Sequence, residues 1–209
     1  MKGSQEMREM RVEVAHPKQY PDATACLTEA FMEDPVISYL FEDEERRPLL
    51  LSAFFANRLA SRSDADQLLV PTGTDEKFSA ALWESPEKKI QSETSYNAAI
   101  SAAVALLGEQ WLIDRLAHLE VLIEAKPDTP HWYLAFIGTR TEARGRGIAS
   151  NLIRAITEIC DKEKLPAYLE SSNPENVSLY ERHGFSVTGE VTLKGGPTVP
   201  LMWREPSFE

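Results

Sequence analysis

The sequence predicts an α/β chain with a single domain, and three observations carry this. Residues 132–137 are apolar on both faces, the mark of a central strand covered on both sides. Residues 147–164 place Ile148, Leu152, Ile156, Ile159 and Cys160 at helical spacing, with Pro166 just past the end. A further strand-like run follows at 167–170, so strand and helix alternate as they do where helices cover a sheet. The chain has 209 residues, close to the usual ~100–200 for one domain. It shows no internal repeat and no linker rich enough to divide it.

The other elements follow in order. Residues 10–14 alternate Met10, Val12 and Val14 against Arg11 and Glu13 and predict a half-buried strand. Residues 23–32 predict a helix with Ala23, Leu27, Ala30 and Phe31 on one face. It stops at Asp34-Pro35, because the residue before proline avoids the helical region. Residues 36–41 are a second short apolar piece. Residues 44–62 predict a helix through Leu49, Leu50, Ala53, Phe54 and Leu59. Residues 67–71 and 78–83 are strands around Gly73-Thr74-Asp75, whose turn chemistry makes them an antiparallel hairpin. Residues 84–93 are a polar loop around Pro86. An alanine-rich helix at 98–107 is broken by Gly108. An amphipathic helix at 109–126 carries Trp111, Leu112, Leu116, Leu119, Leu122 and Ile123, and Pro127 and Pro130 end it. Residues 176–183 predict a short helix, and 185–193 and 199–204 the last strands.

Composition excludes several tasks. The formal net charge is −11 and 43% of the residues are hydrophobic. Nucleic-acid binding works by neutralising phosphates with Lys and Arg, so an acidic chain is poorly suited to it, and an anionic membrane surface repels it too. A cationic amine is attracted, although acidity is also an ordinary solubility device. Cys26 and Cys160 are the two cysteines, too few and too far apart for a disulfide framework or a zinc site. Cys160 falls on the buried helix face. The start of the chain is polar, and the longest apolar stretches fall far short of the ~20 residues that span a bilayer. A cytoplasmic protein, monomeric or homodimeric, is expected. No metal is expected either, because His16, His118, His131 and His183 have no ligand spacing.

The chemistry concentrates at Ile137-Gly-Thr-Arg-Thr-Glu-Ala-Arg-Gly-Arg-Gly-Ile-Ala-Ser150. A buried strand enters a turn with Gly145 and Gly147, and a helix starts there. The first N–H groups of a helix lack intrahelical partners, and with the helix dipole they suit an anion such as a pyrophosphate. Arg144 and Arg146 add positive charge at the rim. Two better-known phosphate loops do not fit. A Walker loop needs Gly-Lys-Ser/Thr, and a dinucleotide loop needs a third glycine where Ser150 stands.

Arg144-Gly-Arg-Gly147-Ile-Ala149 resembles the R/Q-x-x-G-x-G/A signature of the GNAT acyl-CoA N-acyltransferases. Two further segments follow in that family's order: Tyr168-Leu-Glu-Ser-Ser-Asn173, and Asn176-Val-Ser-Leu-Tyr180-Glu-Arg-His-Gly184-Phe185. Together with Trp132-Tyr-Leu-Ala, the stretch from Gly195-Gly196-Pro197 to Met202-Trp203-Arg204, Phe31-Met-Glu-Asp34-Pro35 and Leu82-Trp83-Glu-Ser-Pro86, they are similar to the branch containing puromycin N-acetyltransferase. The likeness is dense over 132–204 and sparse over 86–130.

The resemblance implies a mixed, mostly antiparallel central sheet of about six or seven strands flanked by helices. Strands 132–139 and 167–171 would splay where acetyl-CoA enters. Residues 131–205 would form the acetyl-CoA core and 1–130 mainly the acceptor side. Main-chain groups around Phe136, Ile137 and Thr139 would pair with the pantetheine amides. Arg144, Gly145, Arg146, Gly147, Ile148 and Ala149 would bind the pyrophosphate, and Asn173 and Asn176 would face the cofactor arm. Tyr180 matches the family tyrosine that hydrogen-bonds the sulfur. A phenol is protonated at neutral pH and can donate to the leaving thiolate; the plainer reading is an aromatic filling a helix–sheet gap. Glu170, at a strand end, either anchors an ammonium, takes its proton or simply faces solvent. Phe31, Asp34 and Trp83 are candidates for the acceptor pocket, with core packing the alternative for the two aromatics. His183 lies one helical turn from Tyr180 and reads as packing. Ser171-Ser172 lacks the turn of a nucleophile elbow. The expected activity is transfer of acetyl from acetyl-CoA to a primary amine of a small molecule, by direct attack in a ternary complex. The competing readings are a non-catalytic acyl-CoA sensor and a peptide or protein N-acetyltransferase.

Overall fold

The computed structural model describes residues 11–72, 79–87 and 109–207. Its strands are β1 (Arg11–Val14), β2 (Gln67–Thr72), β3 (Ser79–Glu84), β4 (Trp132–Thr139), β5 (Ala167–Glu170), β6 (Ser186–Thr192) and β7 (Thr198–Arg204). Its helices are α1 (Tyr20–Phe31), α2 (Pro35–Leu40), α3 (Arg47–Ala60), α4 (Glu109–Ala125), α5 (Ile148–Glu163) and α6 (Val177–Glu181). The strands form one sheet in the order β1-β2-β3-β4-β5-β7-β6. Every neighbouring pair is antiparallel except β4 and β5, which are parallel. The mixed, mostly antiparallel sheet expected from the sequence is therefore present. The helix expected at 98–107, the turn at Gly73–Asp75 and the side chains of Trp111, Leu112 and Leu116 lie outside the described residues.

Alternation along the strands divides the core between the two sheet faces. Leu68 and Val70 of β2 and Ala80 and Leu82 of β3 pack with Leu27 of α1 and Leu51, Phe55 and Leu59 of α3. Leu69, Ala81 and Trp83 point the other way, onto Leu152, Ile153, Ile156 and Cys160 of α5. Gly138 of β4 lets α1 lie close, since a Cβ there would stand 2.7 Å from Ala30 Cβ.

Several local expectations change. Helix α1 starts at Tyr20, because Pro21 lies in the first turn, where its missing N–H is not needed. The apolar piece after Pro35 is a helix, capped by Asp34 Oδ1, which accepts from the Val36 and Ile37 N–H at 3.0 Å each. Four residues assigned to apolar faces are exposed: Val14 on edge strand β1 (53%), Leu49 in the first turn of α3 (65%), Phe54 further along α3 (37%) and Ile123 on α4 (67%). Val14 lies on the edge strand of the sheet, and Phe54 lines the cavity described below.

The feature that positions the site is the junction of β4 and β5. Only Trp132↔Ala167 and Tyr133↔Tyr168 pair. Beyond them β4 continues along β3 to Thr139, while Ser171 turns to β7, its N–H donating to Pro200 O at 2.8 Å. A bulge at Ala135 helps the parting, since Leu82 pairs with Phe136 and Trp83 with Leu134. It turns both Ala135 and Phe136 toward the α1–α3 side, while Leu134 and Ile137 face α5.

Candidate active site

A cavity of about 780 Å³ opens where β4 and β5 part. Its walls bring together most of the residues singled out from the sequence: Phe31, Asp34, Phe136, Ile137, Thr139, Arg144, Gly145, Gly147, Ile148, Ala149, Glu170, Asn173, Asn176 and Tyr180. Arg146 is exposed beside this group, its guanidinium donating to Glu142 O at 2.9 Å, and does not line the cavity. Trp83 corrects the expectation made for it. It is wholly buried in the core beneath α5 and contributes nothing to the cavity wall. Strand parity explains this: Leu82 and Trp83 face opposite sides, and Trp83 takes the α5 side.

One end of the cavity is built for an anion. Gly145 and Gly147 both adopt φ +76° with open space where a Cβ would sit, so it is backbone conformation that requires glycine there. Gly147 caps α5, and the first intrahelical bond runs from Asn151 N to Gly147 O. The N–H groups of Ile148, Ala149 and Ser150 therefore have no acceptor within the helix. Arg144, whose Nε donates to Thr139 O at 3.2 Å, stands at this rim.

The other end is apolar. Phe136 of β4 meets Phe31, Phe54 and Phe55 with ring centroids 6.0, 5.7 and 5.2 Å away, all edge-on. Phe54, Leu119 and Leu122 also line it, and sequence reasoning gave none of the three a site role. Asp34 lines the cavity with both oxygens engaged. Oδ1 caps α2, and Oδ2 accepts from Ser172 Oγ at 2.5 Å. It thus ties helix α2 to the loop after β5. Burial pushes its carboxyl up, and these hydrogen bonds pull it back.

Two titratable groups stand between the ends. Tyr180 of α6 is buried, and burial together with the nearby Asp34 charge pushes its phenol well above the usual value. It keeps its proton at any neutral pH. Asn173 begins its loop by accepting from Glu175 N at 3.0 Å. Glu170, at the end of β5, is not a solvent-facing charge. Its Oε2 accepts from Tyr133 Oη at 2.5 Å, and its Oε1 is buried with no hydrogen-bond partner among the described residues. Burial raises its carboxyl, while the Lys126 charge and the Tyr133 and Tyr168 hydroxyls lower it. Tyr133 is a cavity residue the sequence reading passed over, because nothing in Trp132-Tyr133-Leu134 says which neighbour faces the cleft.

The remaining candidates have structural partners. Both thiols are buried, and burial pushes Cys26 up to about 11 and Cys160 up to about 12, far from a nucleophilic thiolate. His183 gives its carbonyl to Arg204 Nε at 2.9 Å. Among the described residues no group of His, Cys, Asp and Glu is placed to hold a metal ion, and no helix is long and apolar enough to cross a membrane.

A parted pair of central strands, a glycine turn at a helix start and a cavity joining them make a distinctive frame. The sequence profile of the acetyltransferase (GNAT) family matches residues 76–185, more than half of the chain. The chain belongs to the GNAT acetyltransferase family. An uncharacterized N-acetyltransferase of Schizosaccharomyces pombe is 31% identical over 205 residues, spanning 92% of this chain and 82% of that protein. A solved Corynebacterium glutamicum structure, described as a histone acetyltransferase and related acetyltransferase, superposes with a TM-score of 0.73 at 23% identity. It covers 96% of this chain and 98% of its own. Arylalkylamine N-acetyltransferase 2 of Aedes aegypti shares the fold at a TM-score of 0.57 and 12% identity, over 96% of this chain and 100% of that one. GNAT membership carries acetyl-CoA-dependent acetyltransferase activity, with acetyl-CoA as acyl donor. The residues present fit that donor. The helix-start N–H groups suit its pyrophosphate, and the β5-facing side of β4 beyond Tyr133 has no strand partner to block pantetheine.

Proposed function

We propose that this GNAT enzyme acetylates the primary amine of a small molecule with an apolar, aromatic-bearing body, the amine attacking the thioester directly. One observation carries the reading: a single cavity is lined by a carboxylate with one buried oxygen that has no hydrogen-bond partner among the described residues, a buried phenol, and a cluster of phenylalanines. Acetyl-CoA, when bound, supplies the activated acyl group and the leaving thiol. Glu170 holds the acceptor's ammonium and takes a proton from it, and a carboxylate of raised proton affinity is a better base than an ordinary one. Tyr180 holds the proton that the departing sulfur needs. The N–H groups of Ile148 and Ala149, with Arg144, hold the pyrophosphate. Phe31, Phe54 and Phe136 exclude water and take up the uncharged part of the acceptor. The high proton affinity of Cys26 and Cys160 speaks for direct transfer over a covalent intermediate. The likeness to the puromycin-modifying branch supports a small acceptor over a protein.

Thiol release from acetyl-CoA tests this with puromycin, 2-phenylethylamine, spermidine and a lysine-containing peptide. Release is expected with the aryl amines. Acetyl-CoA binding without acceptor-dependent release would make the chain a sensor, and release with the peptide alone would make it a peptide acetyltransferase.

A further inference from the structure

Glu170 has two oxygens with different surroundings, and the difference is set by Tyr133 of the neighbouring strand β4. Tyr133 lies beside Tyr168, their rings stacked at 6.0 Å on the face of the sheet that carries Glu170. Its hydroxyl donates to Oε2 at 2.5 Å. Oε1 is buried with no hydrogen-bond partner among the described residues, the Tyr168 hydroxyl being the other hydroxyl that favours its charge, and it belongs to a carboxylate that lines the cavity. Tyr133 is itself held from above. The Nζ of Lys126, the residue after α4, sits 3.4 Å from the centre of the Tyr133 ring. An ammonium on a phenol face withdraws electron density from the ring and makes its hydroxyl a stronger donor.

We propose that Tyr133 is a positioning residue of the transferase site. With Lys126 on its ring, it locks Glu170 through Oε2 so that Oε1 alone meets the acceptor's ammonium. The proposal rests on the acetyl-transfer reading above and names what makes its base work. The ammonium gives one N–H proton to Oε1, leaving a neutral amine and a neutral carboxyl group. The bond to Oε2 fixes the plane of the carboxylate, so the accepting lone pair is presented in one direction. The charged or titratable groups facing Glu170 are Tyr133 on β4, Tyr168 on β5, Glu84 at the end of β3 and Lys126 after α4. Lys126, Tyr133 and Tyr168 favour the ionised carboxylate and Glu84 opposes it. Arg58, in an ion pair with Glu84, offsets part of that opposition.

The test titrates the Glu170 carboxyl by carbon-13 NMR in the full chain without substrates, with Glu170→Gln to assign the signal. In parallel, kcat/KM for 2-phenylethylamine is followed against pH at saturating acetyl-CoA. In Tyr133→Phe the carboxyl is expected to titrate at higher pH, and the acid limb of the rate profile to move up with it. At neutral pH kcat/KM for the amine should fall about 10- to 100-fold, with KM for acetyl-CoA unmoved. Lys126→Met keeps the ring and its hydroxyl but removes the charge that lowers the carboxyl most, so it should move both readings the same way by at least as much, and a folding defect in the first variant does not leave the matter open. An unmoved titration in Tyr133→Phe overturns the proposal. So does a moved titration with an unmoved acid limb, which would leave acetyl transfer standing without this role. Absence of turnover with every amine in the unsubstituted chain would sink the transfer reading instead, while the titration alone still decides whether Tyr133 holds Glu170.

Discussion

Tyr180 and Glu170 are shifted by the same cause, burial, and the proposed reaction sets them at opposite ends of one transfer. Loss of water disfavours the charged form of each, so the phenol stays protonated and the carboxylate becomes more basic. Tyr180→Phe is expected to lower kcat about 10- to 1000-fold with little change in acetyl-CoA binding, measured by steady-state rates and calorimetry; unchanged turnover would remove Tyr180 from the chemistry. Glu170→Gln should abolish the acid limb of the pH–rate profile and raise KM for the amine. A variant keeping both would show the carboxylate to be structural. At this scale the sequence was readable where a motif names the residue, as with Tyr180, and unreadable where strand parity decides. Trp83 and Tyr133 are both aromatics at strand positions next to apolar neighbours. Only the sheet order shows that Trp83 goes to the α5 core and Tyr133 to the cavity.

At the scale of elements, α5 was the most legible part of the chain. Its sixteen residues carry a clear apolar stripe between a glycine turn and Lys164 in the left-handed region. Strand β5 was equally legible, a four-residue run bounded by Pro166 and Ser171. Helix α2 was not, because six residues show no periodicity and its cap looks like any aspartate before proline. The start of α5 makes its own prediction. Gly147 has φ +76° and nothing within 4 Å of a Cβ, so Gly147→Val meets no clash and acts through the backbone alone. It should cost about 1–2 kcal/mol of stability and weaken acetyl-CoA binding as the N–H groups lose their alignment. Denaturant melts and calorimetry read the two effects. Unweakened binding would move the pyrophosphate away from this turn.

At the scale of the whole molecule, a charged tie fastens α5 to the sheet. It is Arg204 of β7, bidentate to Asp161 of α5 at 2.9 and 2.8 Å, with Ser207 N adding a third bond to Asp161 at 2.6 Å. These bonds lower the Asp161 carboxyl below its ordinary value. The stability they add is present above the unfolded carboxylate range and is lost as pH falls through the lowered value. Asp161→Asn should therefore cost about 1–2 kcal/mol at neutral pH, the carboxylate being partly exposed, and the gap from the unsubstituted chain should close in strong acid. Equal stability at neutral pH would count against the pair. The net charge of −11 takes on a local sense as well: Arg144 and the α5 start form a basic rim in an acidic chain. The seam between β4 and β5, closed by only two residue pairs, has a consequence for how the protein breathes. Amides of β4 past Tyr133 that do not bond to β3 have no strand to shield them, so they should exchange hydrogen quickly in the free protein. An acyl donor whose own amides complete the ladder would act as a missing strand, slowing that exchange along one edge and raising the melting temperature in proportion to the logarithm of its concentration. Exchange mass spectrometry with desulfo-CoA would register this without turnover, and protection elsewhere with none on β4 would mean that the donor enters by another route.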